Sequence, residues 1–186
     1  MRERIEIPLS KKKIYLKILG CLLFVVAGIW LFFNASLYLD FPLKLFRNPM
    51  VIKGVGILSI LFFGTIAILH SKKIFDKNAG LIIDSSGITD NSSATSVGLI
   101  EWNDIFDIKT KKIMSTKFLL INIKNPEKYI GKAKSATKAK LMRSNMKMYG
   151  TPLSITSNNL KYDFEKLEQL IQTEFKQNKK VREQRV

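Results

Sequence analysis

Catalysis requires nucleophiles, bases or metal ligands gathered in one place, and this chain supplies few of them. It has one histidine, His70, and one cysteine, Cys21. Cys21 lies inside an uncharged apolar run with no His or Asp near it, and His70 closes a second such run. Neither a metal cluster nor a Ser-His-Asp set can be assembled from that inventory, so no catalytic residue, metal or cofactor is expected. A single cysteine also excludes a disulfide within the chain. Asp84, Asp90, Asp104 and Asp107 are the acids best placed to form a carboxylate pair. They fall at turns and on a strand edge, where Asp serves as a turn former by bonding its own backbone. Trp102 is expected in the core or on its rim.

Positive charge is what the chain has in quantity. Its 186 residues carry 31 Lys/Arg against 15 Asp/Glu, a net charge of +16. Divided after Lys73, the two parts hold 11 basic against 3 acidic and 20 against 12, so both share the excess equally. The densest block lies in YIGKAKSATKAKLMRSNMKMYG, Tyr129 to Gly150; Lys128 to Lys147 contains seven basic residues and no acid. Read as one helix from Glu127, it places Ile130, Ala133, Thr137, Leu141, Ser144 and Met148 within a sector of roughly 80°. Lys134 and Lys138 border that stripe on one side and Lys140 and Lys147 on the other, with Lys128, Lys132 and Arg143 behind. Three readings fit: a solvated helix packed on its own domain, an interfacial helix with lysines at anionic headgroups, or a nucleic-acid binder. The third is the weakest, because aromatic residues occur only at the margins and offer no stacking platform. Six of the seven bases are Lys, which suits diffuse attraction better than bidentate reading of guanine. No nucleic acid is expected as a partner. The candidate contacts to anionic lipid are Lys132, Lys134, Lys138, Lys140, Arg143 and Lys147.

The elements that position this charge begin with two apolar runs. Ile18 to Leu39 is uncharged for 22 residues, which as a helix spans ~33 Å against a hydrocarbon core of ~30 Å. Gly54 to Ser71 is uncharged for 18 residues, with Lys53 at its edge, where a long side chain can snorkel to the interface. Two such runs joined by a loop containing Pro42 and Pro49 argue against buried soluble helices. A cleaved signal peptide is the other alternative for the first run, opposed by its length and by the span that follows at once. Arg2, Arg4, Lys11, Lys12, Lys13 and Lys17 precede the first run, and Lys72, Lys73 and Lys77 follow the second. That bias places both termini in the cytoplasm, with residues 40–53 as a short external loop. Gly56, Gly64 and Ala67 share one sector of the second span and are the candidate helix-packing residues, either within a hairpin or between two copies.

Beyond Lys77 the texture changes to short β-like runs. Leu81–Ile83, Ile88–Asp90, Val97–Trp102, Ile105–Lys109, Lys117–Lys124 and Thr151–Thr156 are strand candidates. Asp163 is an N-cap for a helix whose Phe164, Leu167, Leu170, Ile171 and Phe175 form an apolar stripe; the tail after it is expected to be frayed. The predicted fold class is therefore α+β: a transmembrane helical hairpin, then a small β-barrel or sandwich with a C-terminal amphipathic helix and an inserted basic helix. The expected segments are a basic N-terminal stretch over 1–17, spans over 18–39 and 54–71, a domain over 72–178 and a basic tail over 179–186.

GLIIDSSGITDNSS, followed by GLIEWNDI and closed by the C-terminal helix, resembles bacterial pleckstrin-homology-like domains. With two spans in front, and with MSTKFLLINIKNPEKYI and MYGTPLSI further on, the chain is similar to a family of small two-span bacterial membrane proteins. The resemblance implies a partly open β-barrel with a C-terminal helix, no established enzymatic activity, and residence in the bacterial cytoplasmic membrane. No ligand site is carried over, because the basic insertion from Lys128 to Tyr149 departs from a minimal domain of this type. Two functions follow as expectations. One is a non-enzymatic membrane protein whose domain docks on anionic lipid or a partner protein. The other is a subunit of a larger membrane complex, or a homo-oligomer, assembled through the small-residue faces of its spans.

Overall fold

The computed structural model describes residues 4–93 and 95–184, apart from the side chain of Arg182. Arg2 of the N-terminal basic flank and Arg185 and Val186 of the tail lie outside the described residues. The protein is α+β, and it divides into two compact units, residues 11–77 and residues 1–10 with 78–186.

The unit over 11–77 is built from two helices, α1 (Lys11–Phe33) and α2 (Pro49–Ile74), joined through 3-10 turns at Ala35–Tyr38 and Lys44–Arg47. They pack antiparallel. Phe24 stacks on Phe63 with ring centroids 4.3 Å apart, the Ser59 hydroxyl donates to the Phe24 carbonyl at 3.0 Å, and the Lys53 ammonium sits over the Phe32 ring. Both helices are long and apolar enough to cross a membrane, with only 11% and 17% of their apolar windows buried. Leu19, Leu23, Phe24, Leu58 and Leu61 are all exposed, which is not how a core helix of a soluble domain presents its leucines.

The helix bounds differ from the uncharged runs. α1 begins at Lys11 because Lys11–Lys17 contains good helix formers and no breaker. It ends at Phe33 because the Asn34 side chain turns back to the Trp30 carbonyl. α2 reaches beyond 54–71 at both ends. The Asn48 side chain accepts from the Met50 N–H, and Pro49, whose missing N–H is no loss in a first turn, opens the helix.

Among the described residues the second unit contains seven strands in two antiparallel sheets. Strands β1 (Ile5–Ile7), β2 (Leu81–Ile83), β3 (Gly87–Asp90) and β4 (Gly98–Glu101) form one sheet in chain order. Strands β5 (Ile105–Ile113), β6 (Thr116–Ile123) and β7 (Leu153–Ile155) form the other. Between β6 and β7 lie α3 (Pro126–Ile130) and α4 (Ala136–Tyr149), and α5 (Phe164–Glu183) closes the chain. Ile7, Leu81, Ile83, Ile88 and Ile100 from the first sheet, Ile105, Leu119, Ile121 and Ile155 from the second, and Leu167 and Ile171 from α5 make up the core. The chain changes sheets at a 3-10 turn, Trp102–Asp104, pinned where the Trp102 indole N–H donates to the Asp84 carbonyl at 2.8 Å. That corner leaves two separate sheets rather than a closed barrel, because among the described residues no ladder joins β4 to β5.

Three further features depart from or add to the expectations. Within the basic N-terminal stretch lies a strand the sequence did not announce: Ile5, Glu6 and Ile7 pair with Ile83, Ile82 and Leu81. Three residues are too few for an alternating pattern to stand out in sequence, although Ile7 inward and Glu6 outward obey it. The C-terminal tail, expected to fray from Lys176, is helical instead, since α5 runs to Glu183. Lys, Gln and Arg are good helix formers, and the basic residues complement the negative end of the helix dipole. The third concerns the basic helix.

Candidate lipid-facing surface

The basic stretch is two helices. Asn125 caps α3 by accepting from the Lys128 N–H at 3.2 Å, and α3 ends at Gly131. Ser135 is extended and caps α4 by accepting from the Lys138 N–H, while Gly150, at φ 78, ends α4 in the left-handed conformation that glycine adopts freely. The expected stripe therefore does not exist as one face. Met142 is fully buried, with Ala139, Asn145, Met146 and Tyr149 partly buried around it. Thr137, Leu141, Ser144 and Met148 face outward. Methionine packs into irregular gaps, so Met142 and Met146 outcompete Leu141 for the inner side.

The segment N-terminal to α4 is spent on the fold. Tyr129 is fully buried, and its hydroxyl donates to Asp104 at 2.6 Å while accepting from the Glu101 N–H at 3.1 Å. The Lys128 ammonium reaches Asp104 at 2.7 Å and Glu101 at 2.8 Å. The hydrogen bonds from Lys128 and then Tyr129 hold the Asp104 carboxyl below the usual carboxylate range. Burial, then the bond to Asp104, pushes the Tyr129 phenol up to about 12. Bonds to Asp104 and Glu101 raise Lys128. This cluster could hold a proton but not exchange one near neutrality, and it staples α3 to the sheet corner. Asp84 and Asp90 likewise fold back on their own turns, accepting from Ser86 and Ser92 N–H groups.

The six candidate lipid contacts separate into two groups. Lys132 lies 4.6 Å from the Tyr129 ring centroid and donates to the Leu99 carbonyl, Lys138 donates to the Ser96 carbonyl, and Arg143 forms a two-pronged pair with Glu127 at 2.8 and 3.1 Å. Lys134, Lys140 and Lys147 are exposed and have no acidic partner among the described residues. Lys140 and Lys147 flank the exposed Leu141 (45%) and Met148 (56%). At the C-terminal end of α4, Lys111 of β5 approaches the Tyr149 ring to 5.1 Å. That contact ties α4 to the β5–β6 hairpin, whose Lys111, Lys112 and Met114 the sequence reading passed over. Their signal was two lysines beside an apolar pair, Ile113-Met114, at a turn where Gly or Asn is usual.

A cleft of about 460 Å³ is lined by Ser85, Ser86, Glu101, Trp102 and Asn103. Its carboxylate is already bound by Lys128 and its indole N–H by Asp84. Among the described residues no group of His, Cys, Asp and Glu could hold a metal.

The three candidate packing residues of α2 do not act together. Gly56 meets Gly28 of α1: a Cβ there would stand 2.6 Å from the Gly28 carbonyl oxygen. Ala67 is buried, whereas Gly64 has nothing within 4 Å. Compared with protein-family models, with curated proteins and with solved structures, the chain matches none.

Proposed function

We propose that the chain is a non-enzymatic integral membrane protein with two spans, α1 and α2, and a pleckstrin-homology-like unit that docks on anionic lipid at the cytoplasmic face of a bacterial membrane. The observation that carries the docking is the set Lys134, Lys140 and Lys147, exposed without acidic partners among the described residues and interleaved with exposed Leu141 and Met148. A basic residue near an anionic leaflet contributes ~1 kcal/mol, so three contribute about 3 kcal/mol. The spans already anchor the chain, and that energy serves orientation of the unit.

Three features support the wider reading. Seven strands in two antiparallel sheets among the described residues, with the apolar face of a C-terminal helix buried, agree with a pleckstrin-homology-like unit. The β1–β2 pairing favours an even number of crossings between residues 7 and 81, since strands on opposite sides of a bilayer cannot pair. It also speaks against a cleaved leader, which would remove β1. Connectivity limits how far the unit can stray from the helix ends: α1 follows Ser10 directly, and only residues 75–80 join α2 to β2, a reach of at most about 25 Å.

The full chain in lipid nanodiscs tests the docking. Acylation of Lys134, Lys140 and Lys147 by an amine-reactive ester, read by mass spectrometry against Lys176 as reference, is expected to slow severalfold with phosphatidylglycerol present. Equal rates in neutral and anionic discs defeat the proposal. The second reading, a subunit of a larger membrane assembly or homo-oligomer, rests on Gly64, which leaves a small-residue opening on the helix pair. Gly64→Leu is expected to abolish association in detergent if that reading holds.

A further inference from the structure

The β5–β6 hairpin has a two-residue loop, Met114-Ser115, closed by the Ile113–Thr116 pair. Three features of this tip work against the isolated fold. Met114 has φ 53, the region that L side chains other than Asn and Asp rarely adopt and that favours Gly at a tight hairpin turn. It is 92% exposed, more than any other large apolar residue among those described. Behind it Lys112 stands directly across from Lys117, a like-charge pair that weakens a ladder. Lys117 is paired with Glu165 and Lys111 lies over the Tyr149 ring, while Lys112 has no acidic partner among the described residues. A soluble hairpin with Gly or Asn at this place would relieve both the backbone and the exposure. The apolar tip and the lysines behind it become favourable together where the tip meets an apolar layer beneath a negatively charged one.

We infer that the β5–β6 tip is a membrane-insertion wedge: Met114 enters the hydrocarbon margin of an anionic bilayer while Lys111 and Lys112 engage its headgroups. Methionine suits the task, being unbranched and adaptable to a disordered apolar layer. Through the Lys111–Tyr149 contact the wedge lies beside the C-terminal end of α4. The inference rests on the docking proposed above and names a part of the unit that enters the lipid. The occupant is a lipid surface rather than a protein, because a protein partner would supply its own acids in fixed positions, whereas mobile headgroups can follow lysines on a turn.

The test uses the full chain carrying Cys21→Ala, in nanodiscs of phosphatidylcholine with or without phosphatidylglycerol. An environment-sensitive fluorophore is placed at Met114→Cys in one sample and at Ser144→Cys, on the outer side of α4, in another. A blue-shifted Met114 label, quenched by nitroxide-bearing lipid in anionic discs only and released by high salt, is the expected result. A Met114 label that stays in water while the Ser144 label responds overturns the wedge and leaves the α4 docking standing. No response at either position overturns both, and equal insertion into neutral discs overturns the role given to the lysines. In unlabelled protein, Met114→Gly is expected to leave the melting temperature unchanged or raised while speeding acylation of Lys111 and Lys112 in anionic discs severalfold. Unchanged acylation in that variant removes Met114 from the contact.

Discussion

At the scale of single residues, the best-defined chemistry is structural and centres on Tyr129. Its hydroxyl is buried and doubly bonded, so Tyr129→Phe leaves the Glu101 N–H without its acceptor. The expected loss is about 1–3 kcal/mol, measured by denaturant unfolding in detergent. The phenol also sets an alkaline limit. Its folded pKa of about 12 lies above the unfolded value near 10, so the folded state holds the proton more tightly. That stability, about 2–3 kcal/mol, is complete below pH ~10 and is lost as pH rises toward 12. A phenolate-absorbance titration should show one tyrosine with a midpoint near 12. Asp104 behaves in the opposite sense: its lowered pKa contributes stability above pH ~4, and this is lost as acid protonates it.

At the scale of elements, each glycine on the helix pair has its own prediction. Gly56→Leu drives a side chain into the Gly28 backbone and should cost about 1–3 kcal/mol, read as lost cross-linking between the two helices. Gly64→Leu should leave that packing intact, since the site is open. At the hairpin, Met114→Gly relieves a left-handed backbone strain of about 1–2 kcal/mol, partly offset by the glycine's greater unfolded entropy of about 0.5–1 kcal/mol. The net expectation is a small rise in melting temperature. Elements with strong local grammar were legible in the sequence. KFLLINIK became β6, DSSG became the β2–β3 turn, and Asp163 caps α5 by accepting from the Glu165 and Lys166 N–H groups. What escaped was decided elsewhere in the chain. Ile5–Ile7 is a strand because β2 offers an edge, and Met142 faces inward because of the sheet behind it. The break at Gly131–Ser135 was hidden because the basic pattern ran straight through it. The wedge was missed for a related reason: exposure and a positive φ at Met114 are facts of backbone geometry, not of composition.

At the scale of the whole molecule, the helix pair is an insertion between two strands that hydrogen-bond to each other. Removing residues 1–10 is therefore expected to damage the unit on the far side of the sequence. The exposed β2 edge and the lost Ile7 should lower its melting temperature, with a burial loss of about 1.5–3 kcal/mol for Ile7 alone, and should promote aggregation of the detergent-solubilised protein. The same arrangement orders the events of synthesis. The first strand leaves the ribosome and waits while the intervening 75 or so residues are made, roughly 4–15 s at ordinary translation rates. If both helices thread the bilayer, its partner arrives on the correct side; if either fails, the strand is stranded across lipid from β2. Folding of the whole unit would thus report that the two helices crossed together or not at all, and a chain with one helix threaded would carry an open edge by which proteases could recognise it.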